Sequence, residues 1–479
     1  MKSKLVYLAL VAGLLSCNKT KRVEVQGPPV AGIPLEKPTA PIPPIENDKD
    51  KFLQNDEVEA KALEDGFKLS GAEKENTVFI SVADFANNGD SVKEAREGLE
   101  LGLNLLSTRN FIERVRPVDD SETVLAVDMR DFFGSRANQI WKMIEDQAVV
   151  PIVSQTARFQ NLQFLTQKKI PLMHAKIFLE TAFQAQVYYA IKQTPLNEDE
   201  FWARQGINRQ QDFDDRDKEI FLAGFEDSLI APDHNRLVRR MFGSNGPCYN
   251  TYDVDALKVI PQSNFTQNPF PVEARSRQTA IHNAGEILCR QPNGLYSMAL
   301  YSGAGVRQDA APTTVVVNTR TTPLGLDPSI TIRDCAGCHT QFVLPVTDTF
   351  RRIIASAPFD AADKKIGDFF FKPQAEINRI ISEDNDGHGQ ALGQLDIAAG
   401  SSDPLNVGVI DKLRTGFTSK SLASFLYIPE GELLERLAGS QDAANQVGQL
   451  LQGGTIGFIA FKAALPTLQN DLNLFQDPE

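Results

Sequence analysis

Apolar residues recur at helical spacing along most of this chain, and a few short stretches break that rhythm. Leu99, Leu101, Leu103, Leu105, Leu106 and Phe111 stand among charges and predict a helix within residues 88–112. Leu179, Phe183, Val187, Ala190 and Ile191 predict another after Pro171. The β-branched runs Val124 to Val127 and Thr314 to Val317 suit strands, and the clearest β signal is a hairpin. Its arms are Glu286 to Arg290 and Leu295 to Tyr301, joined by the turn Pro292-Asn293-Gly294. Helical spacing returns at Phe350 to Ile354, Ile377 to Ile381, Leu433 to Leu437 and Val447 to Leu451, the last two reading as an α-hairpin. Gly453-Gly454 then marks a turn before the buried apolar run Ile456 to Phe461. No internal repeat is visible.

The two ends of the chain break the pattern differently. Lys2 and Lys4 precede an apolar run from Leu5 to Leu15, too short to span a bilayer, which ends in Leu14-Leu15-Ser16-Cys17. This resembles a bacterial lipoprotein signal: residues 1–16 form the signal peptide and Cys17 carries the acyl chains. Several chains on one residue bury enough methylene groups for stable membrane attachment, and Asn18 in place of Asp favours the outer membrane. Residues 17–50 contain Pro28, Pro29, Pro34, Pro38, Pro41, Pro43 and Pro44 and read as an extended tether. No second long apolar segment follows, so lipid alone is expected to hold the protein at the membrane. The formal charge of -13 argues against nucleic acid and suits a basic partner. Residues 461–479 read as a C-terminal tail.

Chemistry concentrates at Cys335-Ala336-Gly337-Cys338-His339. Two thiols three positions apart, followed by histidine, are the attachment signature of c-type haem. Each thiol adds across one haem vinyl group, and the adjacent imidazole becomes the proximal iron ligand. A bare Cys-x-x-Cys could also form a redox disulfide or half a zinc site, but no further Cys or His ligands flank it at short spacing.

The sixth iron ligand stays open. No methionine follows Met298, so the Met/His layout of small cytochromes c is in doubt. His388, in Asp384-Asn385-Asp386-Gly387-His388-Gly389, is the sole downstream histidine, and as a ligand it would lower the reduction potential; its neighbours also fit a polar loop. Met298 on the hairpin is the second candidate, His174, His234 and His282 are weaker ones, and a vacant sixth position is the remaining case. Cys248 and Cys289 are left over as an even remainder and suggest a structural disulfide. His282 and Glu286 lack the second histidine of a zinc-protease helix, and Leu395 stands where the stretch from Asp384 would need the glutamate of a calcium loop.

Thr123 to Arg130, Gly224 to Arg240, Gly285 to Gly294, Gly305-Val306-Arg307 and the haem motif, in that order, resemble a group of large exported or lipid-anchored bacterial proteins with one c-type haem site. The resemblance spans roughly residues 77–460 and implies haem binding and electron transfer without naming a substrate. The expected fold is mainly α with a minor β component (α+β). A mainly helical body at 75–275 precedes a β-hairpin and a cytochrome c-like α-helical haem segment at 276–460. The expected function is a monohaem electron carrier on the periplasmic side of the outer membrane, with an unidentified redox protein as partner. The alternatives are a peroxide- or gas-responsive haem enzyme or sensor, and a haem-bearing envelope scaffold.

Overall fold

Strand register, more than helix packing, sets the frame of this molecule. The computed structural model describes residues 55–148, 156–216, 219–225, 235–255, 263–316, 330–339, 343–398 and 416–472. The expected signal peptide at 1–16, Cys17, the expected tether at 17–50 and His234 lie outside the described residues.

The fold is α+β. A four-stranded sheet has the order β2-β3-β1-β4, with β1 (Thr77–Ser81), β2 (Arg116–Pro117), β3 (Val124–Asp128) and β4 (Leu172–His174). β1 runs antiparallel to β3 and parallel to β4. All five residues of β1 are buried, as a strand covered on both faces requires. Ala175–Ala182 packs against it, and on that helix packs in turn the helix Val92–Leu106. The latter starts where Ser91 caps the Glu94 N–H, and every residue from Glu97 to Leu106 is buried. The stripe read from the sequence is thus a helix end enclosed on all sides. Phe111 lies beyond that helix and is exposed, and the second predicted helix breaks at Phe183 into Ala175–Ala182 and Ala185–Lys192.

The β component is larger than a hairpin. β5 (Phe221–Phe225), β6 (Arg236–Gly243), β7 (Gly246–Tyr252), β8 (Ala284–Arg290) and β9 (Tyr296–Ser302) form one antiparallel sheet in sequence order. β7 pairs with β8 across the expected 275/276 boundary, so both expected segments build the same sheet. The hairpin turn is as read, with Gly294 at φ +89°, a backbone state glycine adopts without strain. The buried charges of the sheet are paired: Arg236 with Asp253, Arg239 with Glu273, and Arg240 with both oxygens of Asp384 at 2.8 Å.

Alternation along these strands gives the sheet two faces. Register places Arg236, Arg240, Tyr249, Glu286, Leu288, Met298 and Leu300 on one of them. β10 (Ala310–Ala311) and β11 (Ile330–Thr331) form a separate short pair. Thr314 to Val316 are no strand: Pro312 opens a turn there, although Val315 and Val316 are buried. Near the C-terminus, Val447 ends a helix and Gly448–Gln452 is a 3-10 turn. The expected tail begins inside the helix Phe458–Leu472. No helix among the described residues is long and apolar enough to cross a membrane.

Candidate functional site

The Cys335 motif occupies the helix Ile332–His339, directly after β11. Asp334 fixes its start by accepting the Thr331 backbone N–H at 2.9 Å and its hydroxyl at 2.7 Å. Arg333 reaches Glu180 at 3.2 Å and ties the helix to Ala175–Ala182. Positions 335, 338 and 339 are related by three and four residues, so both thiols and the imidazole share one helix face. The helix packs on β9 and on Ala185–Lys192. Tyr188 and Tyr189 of the latter accept the N–H groups of Met298 and Leu300, closing this edge of the sheet.

Facing the motif from β8 is Glu286. Its Oε1 lies 3.7 Å from His339 Nε2, with both side chains almost wholly buried. The opposite ring nitrogen, Nδ1, is buried and has no hydrogen-bond partner. Burial pushes the Cys335 thiol well above its ordinary range, and the neighbouring Glu286 carboxylate adds to this. Cys335 and Cys338 are not disulfide-bonded. β8 comes this close to β7 because residue 285 is glycine: a Cβ there would stand 2.4 Å from the Thr251 carbonyl oxygen. The Glu286 N–H in turn donates to Thr251 Oγ1 at 2.9 Å. Behind Glu286 runs a narrow crevice bounded by Arg236, Asp253, Tyr301, Val316 and Ile330. Burial works against the charge of Arg236, but Asp253 and, farther off, Glu286 hold its pKa above the ordinary value.

The sequence-predicted sixth ligands are not gathered here. His388 belongs to no loop: Asp384 to Gly389 lie within the helix Gln374–Gly393, and His388 is fully buried. Its ring packs on Tyr296, and its Nδ1 is 3.4 Å from the Gly294 carbonyl oxygen. Tyr296 pairs with Arg290, whereas His339 faces Glu286, so the two histidines attend opposite ends of β8, about 13 Å apart along the strand. Met298 shares the sheet face of Glu286 but pairs with Leu288, one alternation further on. His174, the last residue of β4, meets the rings of Phe425 and Tyr427 at a tilt and lies beside Asp84. His282 meets Tyr252 edge to face.

Cys248 and Cys289 oppose each other in the β7–β8 register and are joined, with a Cα–Cα distance of 4.1 Å. The stretch from Asp384 is helical, which removes the calcium-loop geometry. Among the described residues no three His, Cys, Asp or Glu side chains are placed to hold a metal ion. A porphyrin brings four nitrogens of its own, so a haem iron needs only one or two protein ligands. The donor set fits that requirement: two unbridged thiols on one helix face and an imidazole whose nitrogens carry no other strong bond.

No family model, no curated protein and no solved structure matches this chain. Glu286 is the site residue that sequence reading missed, because only strand pairing brings it to the motif.

Proposed function

We propose that this chain is a lipid-anchored monohaem c-type cytochrome that passes single electrons in the cell envelope, on the periplasmic side of the outer membrane. Cys335 and Cys338 hold the haem as thioethers and His339 is the proximal ligand. When bound, the haem supplies a one-electron iron couple. The observation that carries this reading is the shared helix face of the two thiols and an imidazole with an unpartnered buried nitrogen. A redox dithiol would want a lowered thiol pKa, and Cys335 is shifted the other way.

The burial of Cys335 also bears on attachment. With 2% exposure and a suppressed thiolate, it is a poor nucleophile as packed, so attachment requires the motif helix to be undocked from β9. The charge of -13 suits a basic redox protein as partner and disfavours nucleic acid. Cys17 supplies the membrane anchor.

A second reading, a haem enzyme or sensor with an open sixth position, is favoured by the distance of His388 and Met298 from the imidazole that would carry iron. Carbon monoxide separates the two on protein matured with haem. An electron carrier keeps its ferrous spectrum under the gas, and an immediate shift to a carbonyl spectrum with rapid saturation supports the second reading.

A further inference from the structure

We infer that the outer face of the helix pair Asn55–Lys68 and Ala157–Thr166 rests on the lipid surface, with Phe67 and Phe164 inserted between the headgroups. The inference rests on the proposed acylation of Cys17 and needs no haem.

The two helices run parallel and touch at both ends. Near their starts Arg158 meets Asp56 at 3.2 Å, and near their ends a Cβ at Gly66 would stand 2.7 Å from Leu165 Cδ2. Val58, Ala62, Phe159 and Leu162 of the pair are buried in one core with Phe79 and Leu172 of the four-stranded sheet. Phe67 follows Gly66 and Phe164 precedes Leu165, so in parallel right-handed helices both leave the seam on the same side and at nearly the same level. They are the two most exposed phenylalanines among the described residues, at 64% and 80%, so that side faces away from the sheet. Large apolar side chains presented together mark a contact surface. The charges around them cancel: Glu64 pairs with Lys68 at 3.1 Å, and Asp56 with Arg158. Headgroups of anionic lipid repel a chain of formal charge -13, and a locally neutral face is the one that can approach them.

Lipid suits this face better than a second copy of the chain. A stable interface buries about 800 Å² on each partner, and two phenylalanines offer at most about 400 Å². Alone they would hold a free protein at a bilayer only weakly, but a tether makes a weak contact intramolecular. Residues 18–54 join Cys17 to the helix that begins at Asn55. Phe67 lies about 18 Å along that helix from its start, within reach of a segment of that length.

The test uses the mature acylated chain in phosphatidylcholine–phosphatidylethanolamine vesicles, with acylation read first by intact mass. Phe67→Trp, Phe164→Trp and Phe242→Trp are compared with the parent, whose Trp141 and Trp202 are buried. Emission is read in ordinary lipid and in lipid brominated on its acyl chains, and the ratio of the two cancels quenching by any haem. Phe67→Trp and Phe164→Trp should lose most of their added emission in brominated lipid and shift to shorter wavelength, while Phe242→Trp on β6 keeps its own. Acylated protein in which neither introduced tryptophan is quenched, or in which Phe242→Trp is quenched equally, overturns the inference and leaves the anchor standing. So does a concentration-dependent blue shift without vesicles that brominated lipid does not quench, which makes a second copy the occupant. A mature chain without acyl mass overturns both.

Discussion

Two cysteine pairs lie on opposite sides of one strand, and only one of them is bonded. Cys289 and Glu286 point to opposite faces of β8 by strand alternation. On one face, register sets Cys289 directly against Cys248 and the disulfide closes. On the other, the buried Cys335 thiol meets the Glu286 carboxylate, and Cys338, a helical turn away, is not joined to it. Both pairs have a buried member, so burial does not distinguish them. Strand pairing brings two thiols together, whereas the helix lines up two thiols and an imidazole for a third body. The first pair is a staple, and under the proposed reading the second is an attachment face.

The largest effect is expected where the second pair is removed. Cys335→Ser with Cys338→Ser should abolish covalent pigment completely, checked by haem stain on a denaturing gel, while Cys248→Ala with Cys289→Ala retains it. In the reverse assay the disulfide variant should lose about 3–4 kcal/mol of stability for a loop of this length, read from urea midpoints. The serine variant of the motif should keep the apoprotein midpoint within about 1 kcal/mol.

A smaller effect follows from His282, just ahead of β8. Burial lowers its pKa from 6.5 to about 4, so between those values the unfolded chain binds a proton that the folded chain refuses. Stability from this residue is complete above about pH 6.5 and is lost as pH falls toward 4, by at most about 3 kcal/mol. His282→Gln should flatten the difference in urea midpoint between pH 7 and pH 4.5; an unchanged slope would contradict the assignment. Smallest is Tyr188→Phe, which strips the acceptor from the Met298 N–H at the edge under the motif helix. A buried donor left unmatched costs about 1–3 kcal/mol, and the loss should appear as faster hydrogen exchange in β9 while β7 stays protected.

Much of the local structure was legible. β3, the hairpin with its Pro-Asn-Gly turn and most of the helices follow from short-range pattern, and the pairing of Cys248 with Cys289 follows from the even cysteine remainder. The five-stranded sheet did not, and the reason is physical: β6 reads Arg-Leu-Val-Arg-Arg, which resembles an exposed segment until Asp253, Glu273 and Asp384 neutralise its arginines. These partners are distant in sequence. His388 misled for a related reason. Asp384-Asn385-Asp386-Gly387 carries weak helix formers, but Asp384 is held by Arg240 and Tyr249, and Asn385 exchanges two hydrogen bonds with the Val343 backbone. Tertiary bonds hold the helix where propensity would break it. At the site, Cys335, Cys338 and His339 were visible as a motif, while Glu286 becomes visible only with the β8 register.

The most direct measurement is acid–acetone extraction of the protein purified from the membrane fraction of a host with haem maturation, followed by intact mass against the same preparation of Cys335→Ser with Cys338→Ser. The account predicts that the red pigment stays with the polypeptide and that the mass rises by one haem. A colourless chain, or pigment that leaves with the solvent, would contradict it.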